Sequence, residues 1–231
     1  MSPRILIGSS YFRNKQGNDS EEFLRIWILN TLRVLHPSVK SVKIVCEAGT
    51  VFPAHLRSPL IEPIHLTGDL GHVSHLENGT KPYEFCGWTA GMIALAMLAY
   101  CDESDFVYKE SDALAFGPWL ETGYKDLGDG DIVFGHAQPV SPCMPSSQSI
   151  FIVRHRFIPT FVSKYLSYGG DAKVFGEHKF VQLEYEFGKE RVKRLSFGVD
   201  RCRPIPYSDP VFYAQQLYPE EMAELRKRAL I

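Results

Sequence analysis

Two carboxylates stand one residue apart in the segment F-V-Y-K-E-S-D-A-L-A-F-G, where Glu110 and Asp112 follow an apolar run. The run predicts a buried strand over residues 106–108. In open α/β sheets, ligands bind beyond the carboxyl ends of the parallel strands, which is where both acids would lie. Such a pair can bind one hard divalent cation, and Mg²⁺ or Mn²⁺ suits oxygen ligands of this kind. The alternative is that Asp112 caps a short following helix while Glu110 is only solvated.

The first half of the chain alternates strands with helices, which predicts an α/β fold with a mainly parallel sheet. Strands are predicted at 4–7, 42–46, 61–66 and 106–108, and helices at about 19–35 and 84–100. The second of these helices is rich in Gly and Ala, which indicates close packing on a sheet. In the second half we expect strands at 131–134 and 149–153, and helices at about 157–168, 177–187 and 219–229.

This pattern suggests a single domain over residues 1–231. A nucleotide-binding half, about 1–117, would be joined to a loop-rich, acceptor-binding half, about 118–231.

Composition limits the classes of partner and compartment. The formal net charge of −2 at pH 7 gives no reason to expect nucleic acid or anionic membrane as a partner. The five cysteines form no C-x-x-C pair, which argues against a disulfide framework and a structural zinc site. No signal-peptide pattern opens the chain, and the longest apolar run, 91–100, is far shorter than a membrane span. We therefore expect a cytoplasmic protein without a transmembrane segment.

The segment D-F-V-Y-K-E-S-D-A-L resembles the acidic motif of the GT-A class of nucleotide-sugar glycosyltransferases, and the layout of strands and helices before it is similar too. In that class a strand ends in D-x-D, whose acids bind the divalent metal that holds the sugar diphosphate. Here Glu110 replaces the first aspartate, and Asp112 matches the last acid, the more dependable ligand in the class. The resemblance implies a GT-A-like Rossmann-type mixed sheet flanked by helices. It also implies Mn²⁺ or Mg²⁺, a nucleotide-diphosphate sugar donor, and a glycan or other hydroxyl acceptor.

The same resemblance implies nucleotide-binding residues near the first two strands. Gly8, Ser9, Ser10 and Tyr11 follow the first predicted strand, where the class receives the base and ribose, and Tyr11 would stack on the base. Glu47 closes the second strand, where the class often holds the base or ribose. An ordinary turn and a solvated glutamate are the alternatives.

A further pair of residues begins a predicted helix in the second half. By the resemblance, Glu177 is a candidate catalytic base that deprotonates the acceptor hydroxyl, and His178 a candidate final metal ligand, with His136 competing for that role. The alternative for Glu177 is an acid that interacts favourably with the helix dipole. Lys109 is expected to point away from Glu110, because side chains alternate along a strand.

Two other functions remain open at this point. One is a sugar nucleotidyltransferase, although the stretch after the first strand lacks the dense glycines of a phosphate loop. The other is a binding domain that kept the fold without the activity.

Overall fold

The computed structural model describes residues 4–11, 21–33, 37–46, 50–67, 84–136, 146–171, 173–199 and 201–231. The strands in these ranges are β1 (Ile5–Tyr11), β2 (Val39–Cys46), β3 (Ile61–His65), β4 (Asp105–Lys109), β5 (Ala113–Phe116), β6 (Ile132–His136), β7 (Ser146–Val153), β8 (Val192–Val199) and β9 (Phe212–Gln215). The helices are α1 (Glu21–Arg33), α2 (Gly87–Cys101), α3 (Trp119–Leu127), α4 (Ile158–Ser167), α5 (Gly176–Arg191) and α6 (Pro219–Lys227). No helix in these ranges has both the length and the apolar character needed to cross a membrane.

Seven strands form one mixed sheet in the order β3-β2-β1-β4-β7-β6-β8, and β5 pairs with β9 in a second, small sheet. Strands β1 to β4 are parallel, β7 is antiparallel to both β4 and β6, and β8 is parallel to β6. The predicted α/β class is confirmed. The chain adds β2 and β3 on one side of β1 and places β4 on the other, so the boundary between β1 and β4 is the topological switch point.

Alternate side chains of the central strands enter two separate cores. Ile5 and Ile7 of β1 pack with α1 and α3, whereas Leu6 packs with α2 on the opposite face. Both faces of the sheet are therefore covered by helices.

Helix α2 lies close to the sheet because of its small residues, as the sequence predicts. A Cβ atom added to Gly91 would stand 2.5 Å from Ser10 Oγ and 3.2 Å from a methyl group of Val45. Likewise, a Cβ on Gly8 would meet the Phe106 ring at 2.9 Å. Packing rather than helix propensity holds α2 here.

The structure departs from the predicted secondary structure in several places. The first strand does not end at Ile7: β1 continues to Tyr11, because β2 pairs with every residue from Leu6 onward and β4 pairs as far as Gly8. No short helix follows Asp112, so Asp112 caps none; Ala113–Phe116 is instead β5, antiparallel to β9. Strand β8 was not predicted at all, although it closes the far edge of the main sheet.

Candidate metal and nucleotide site

Glu110 and Asp112 lie where strand β4 leaves the sheet at the switch point. Gly8 of β1 pairs with Tyr108 of β4, so the carboxyl ends of the two parallel strands are neighbours. Both acids follow β4 directly and are partly exposed, while all five residues of the strand are buried. The position is therefore the edge at which α/β sheets bind ligands.

Hydrogen bonds fix the backbone of the acidic segment on three sides. The Glu110 N–H donates to the Ser149 carbonyl of β7 at 2.8 Å. The Glu110 carbonyl accepts the Ala113 N–H at 3.1 Å, which makes a tight turn, and the Trp27 indole N–H of α1 at 2.8 Å. This corner is held by elements distant in sequence and is not a loose loop.

A glutamine from the small sheet joins the two carboxylates. Gln215 Nε2 lies 2.8 Å from Glu110 Oε2 and 3.3 Å from Asp112 Oδ1, so one amide group donates to both acids. Its Oε1 accepts from the Tyr213 hydroxyl at 3.1 Å. The pairing of Ala113 with Gln215 in the β5–β9 sheet brings these groups together.

An arginine near the C-terminus holds the end of β9. The Arg203 guanidinium donates to the carbonyls of Gln215 and Gln216, at 3.0 Å each, and forms an ion pair with Glu221. Arg203 therefore supports the strand that carries Gln215.

Lys109 points away from the two acids, as the alternation of strand side chains predicts. It is fully buried, and its amine donates to Asn30 Oδ1 at 2.9 Å and lies 4.6 Å from the centre of the Trp27 ring. Burial lowers the pKa of Lys109 well below the usual lysine value. Asn30 also bonds to both backbone groups of Ala115, donating to its carbonyl at 2.9 Å and accepting its N–H at 3.2 Å. Helix α1 thus clamps both strands that flank the acids.

The four residues predicted to receive the nucleotide form the end of strand β1. Gly8 is enclosed between β2 and β4, and Tyr11 is buried in the core with 1% of its surface exposed. Ser9 and Ser10 are buried too, and within the described ranges neither hydroxyl has a hydrogen-bond partner. A nucleotide contact by these residues stays a prediction. Glu47 lies outside the described residues.

The start of helix α5 is brought to the same sheet edge by β7. Ser146 Oγ donates to the Glu177 carbonyl at 2.7 Å. Ser146 lies three residues before Ser149, whose carbonyl accepts the Glu110 N–H. The Glu177 side chain is partly exposed at this edge. Its role as a base remains a prediction.

A buried ion pair anchors the first turns of α5 to the start of α2. Lys179 Nζ lies 2.9 Å from Asp171 Oδ1, and Asp171 Oδ2 accepts the Cys86 N–H at 2.8 Å. Lys179 is fully buried and also lies 4.6 Å from the centre of the Tyr165 ring. Burial, with the Asp171 charge second, raises the pKa of Cys86 to about 11.

The two histidines considered as ligands lie on different elements. His178 is in the first turn of α5, its ring centre 6.2 Å from that of Phe175. His136 ends β6, paired with Ser146. Among the described residues, no group of three or more His, Cys, Asp and Glu side chains gathers to hold a metal. The structure therefore joins Glu110 with Asp112 but does not add His178 to them.

The residues that hold the acids in place are not evident from the sequence. Trp27 and Asn30 lie one turn apart on α1, and an asparagine on the buried face of a helix is a signal that could have been noticed. Gln215 and Tyr213 lie in a four-residue strand whose only local signal is the short run F-Y-A-Q.

Comparison with solved structures shows which known proteins have a similar fold. The chain matches glucosyl-3-phosphoglycerate synthase from Mycobacterium tuberculosis, a complex with Mn²⁺, uridine diphosphate and glucosyl-3-phosphoglycerate, with a TM-score of 0.54 and 10% identity over 98% of this chain and 77% of that one. The chain has a GT-A-like fold. It also matches 4-diphosphocytidyl-2C-methyl-D-erythritol synthase from Anaerococcus prevotii (TM-score 0.52, 10% identity, 84% and 86% covered). A third match is HddC from Yersinia pseudotuberculosis (TM-score 0.51, 8% identity, 98% and 99% covered). At these identities the likeness concerns the fold alone. No protein-family model and no curated protein sequence matches the chain.

Proposed function

We propose that this protein is a divalent-metal-dependent glycosyltransferase that moves a sugar from a nucleotide-diphosphate sugar to an acceptor hydroxyl. One observation carries the proposal: Glu110 and Asp112 share one amide donor at the switch point of a GT-A-like sheet, and both are partly exposed. Partial exposure leaves oxygens of both carboxylates open to a ligand, and the shared amide holds the two side chains together.

The pair suits Mn²⁺ or Mg²⁺ as the cofactor. Both ions prefer oxygen ligands, and Mg²⁺ in particular is usually bound by one or two carboxylates plus substrate phosphates. When bound, such an ion would neutralise charge on the diphosphate leaving group. Asp112 and Glu110 would hold it, and His178 remains a candidate further ligand. A solved structure of the same fold, the M. tuberculosis synthase, contains Mn²⁺ and uridine diphosphate.

The remaining proposed roles, nucleotide binding and acceptor deprotonation, belong to residues at the same edge of the sheet. The end of β1, from Gly8 to Tyr11, together with Glu47, would receive the nucleotide, because β1 borders β4 at the switch point. Glu177 would deprotonate the acceptor hydroxyl, a step worth about 10²- to 10⁴-fold in rate. The start of α5 is hydrogen-bonded to the beginning of β7, the strand whose Ser149 carbonyl accepts the Glu110 N–H, which supports that assignment.

The proposal is tested by calorimetric titration with UDP, GDP, CDP and ADP, each with and without Mn²⁺. We expect at least one nucleotide to bind more tightly with Mn²⁺, and Asp112→Ala to remove that gain while the far-ultraviolet circular dichroism stays unchanged. Glu190→Ala, which removes an exposed acid on α5, is the matched control. Equal affinity for all four nucleotides with and without Mn²⁺ would refute the metal-dependent mechanism.

A sugar nucleotidyltransferase is the second candidate, because the 4-diphosphocytidyl-2C-methyl-D-erythritol synthase of A. prevotii has a similar fold. The two functions differ in their products. Release of pyrophosphate from a nucleoside triphosphate and a sugar phosphate would identify the nucleotidyltransferase. Slow hydrolysis of a nucleotide-diphosphate sugar without acceptor would identify the glycosyltransferase, and neither reaction would be seen with a binding domain.

A further inference from the structure

Gln215 places a neutral side chain directly at the acidic pair. It is 3% exposed, and its Nε2 reaches a carboxylate oxygen of Glu110 at 2.8 Å and one of Asp112 at 3.3 Å. The amide therefore stands between the two acids, where it lessens their mutual repulsion by donating hydrogen bonds to both. A cation shared by these oxygens would need the same space.

The Gln215 amide has an oxygen, Oε1, that could bind a cation as well as the Nε2 donor. A half-turn about the Cγ–Cδ bond of Gln215 exchanges Nε2 with Oε1, and amide oxygens are good ligands for hard cations. Tyr213 can serve either orientation, because its hydroxyl both donates and accepts. Its contact with Gln215 at 3.1 Å therefore need not be lost when the amide turns.

We propose that Gln215 is the third protein group of the divalent-cation site, with its Nε2 on the acids in the metal-free protein and its Oε1 toward the cation in the loaded protein. The inference rests on the proposed function, since it concerns the same site. It assigns to Gln215 a role for which the sequence suggested His178. The reason is contact: Gln215 touches both acids, whereas no group of three acidic, histidine or cysteine side chains forms within the described ranges.

The substitution Gln215→Leu distinguishes two possible roles of the Gln215 amide, as a ligand of the cation or as a group that competes with the cation for space. If the amide oxygen binds the cation, its loss weakens binding by roughly 10- to 100-fold, the range seen when a supporting group of a metal site is removed. If the amide only occupies the space of the cation, the same substitution leaves affinity unchanged or tightens it. Gln215→Glu keeps an oxygen in place and should bind Mn²⁺ at least as tightly as the wild type.

The experiment measures free Mn²⁺ by electron paramagnetic resonance during titration of the full chain, first with Mn²⁺ alone and then with UDP or GDP present. Gln182→Leu, at an exposed glutamine of α5, is the matched control, and circular dichroism checks the fold of each variant. Weak binding by Gln215→Leu with retained binding by Gln215→Glu and the control supports the inference.

Wild-type affinity in Gln215→Leu, combined with loss of binding in Asp112→Ala, overturns the role of Gln215 and leaves the proposed metal-dependent function standing. A wild-type protein that binds no Mn²⁺ under either condition overturns both. The two failures are therefore distinguishable.

Discussion

Replacing Lys109 with methionine should stabilise the protein, and by an amount that depends on pH. Lys109 is fully buried against Trp27, hydrogen-bonded to the neutral Asn30, and burial lowers its pKa well below the usual value. Methionine has a similar unbranched shape and no charge to desolvate. Asn30 would keep its two hydrogen bonds to Ala115, so the clamp on β5 remains.

The magnitude follows from proton linkage. The pKa of an unfolded lysine is about 10.4, and between that value and the lowered pKa of Lys109 the unfolded chain binds one proton more than the folded chain. The free energy of unfolding of the wild type therefore rises by about 1.4 kcal/mol per pH unit in this window. Within the window, the cost of the buried lysine is about 1.4 kcal/mol for each pH unit below the unfolded value, and the hydrogen bond to Asn30 offsets about 1 kcal/mol of it. The variant should therefore be the more stable protein at any pH in the window that lies more than about one unit below the unfolded value.

Urea unfolding followed by circular dichroism, at about pH 7.5, 8.5 and 9.5, measures how this difference changes as the pH approaches the pKa of an unfolded lysine. The advantage of Lys109→Met should shrink as pH rises, because only the wild type gains stability from losing the proton. The raised pKa of Cys86 has the opposite effect, because the folded chain keeps the thiol proton to higher pH and the free energy of unfolding therefore falls as pH rises. Cys86 is present in both proteins, so this effect cancels in their difference. Lys125→Met, at an exposed lysine of α3, is the control. A difference that stays constant with pH, or a variant that is less stable at every pH, would show that Lys109 is charged and required.

Two further substitutions test how the elements around the site are held. Asp171→Ala should lower the free energy of unfolding in urea by about 3–5 kcal/mol, because it leaves the buried charge of Lys179 without its partner. Adding Lys179→Met should recover part of the loss, and equal stability of the single and double variants would contradict this account. Gly91→Ala should cost about 1–3 kcal/mol in thermal or urea unfolding, since its Cβ would stand 2.5 Å from Ser10 Oγ, and a cost below about 0.5 kcal/mol would show that α2 is free to shift.

The sequence alone was enough to predict the parts of this protein that depend on local patterns. Alternating apolar runs and helical stripes predicted the α/β class and the centre of nearly every strand and helix of the first half, because side-chain periodicity is a property of neighbouring residues. The same periodicity predicts that Glu110 and Asp112 lie at the end of a strand and that Lys109 points away from them. All three placements are confirmed by the structure.

Local signals failed where pairing between distant segments overruled them. G-S-S suggests a turn, yet Gly8 to Tyr11 extend β1, because β2 offers a continuous parallel partner. The run A-L-A-F suggests a helix after Asp112, yet it becomes β5 once β9 pairs with it from about a hundred residues away. Hydrogen bonds between strands outweigh a local preference of a few tenths of a kcal/mol per residue.

What only the tertiary structure decided is how the two acids are held. Besides the Ser149 carbonyl of β7, side chains of α1 and β9 contact the acidic segment or the lysine beside it: Trp27 and Asn30 on one side, and Gln215, 105 residues after Glu110, on the other. No spacing in the sequence can predict such contacts, because they depend on which strands become neighbours rather than on the residues that separate them. The sequence determined which side chains can bind a cation, and the pairing of β5 with β9 decided that a neutral glutamine lies between them.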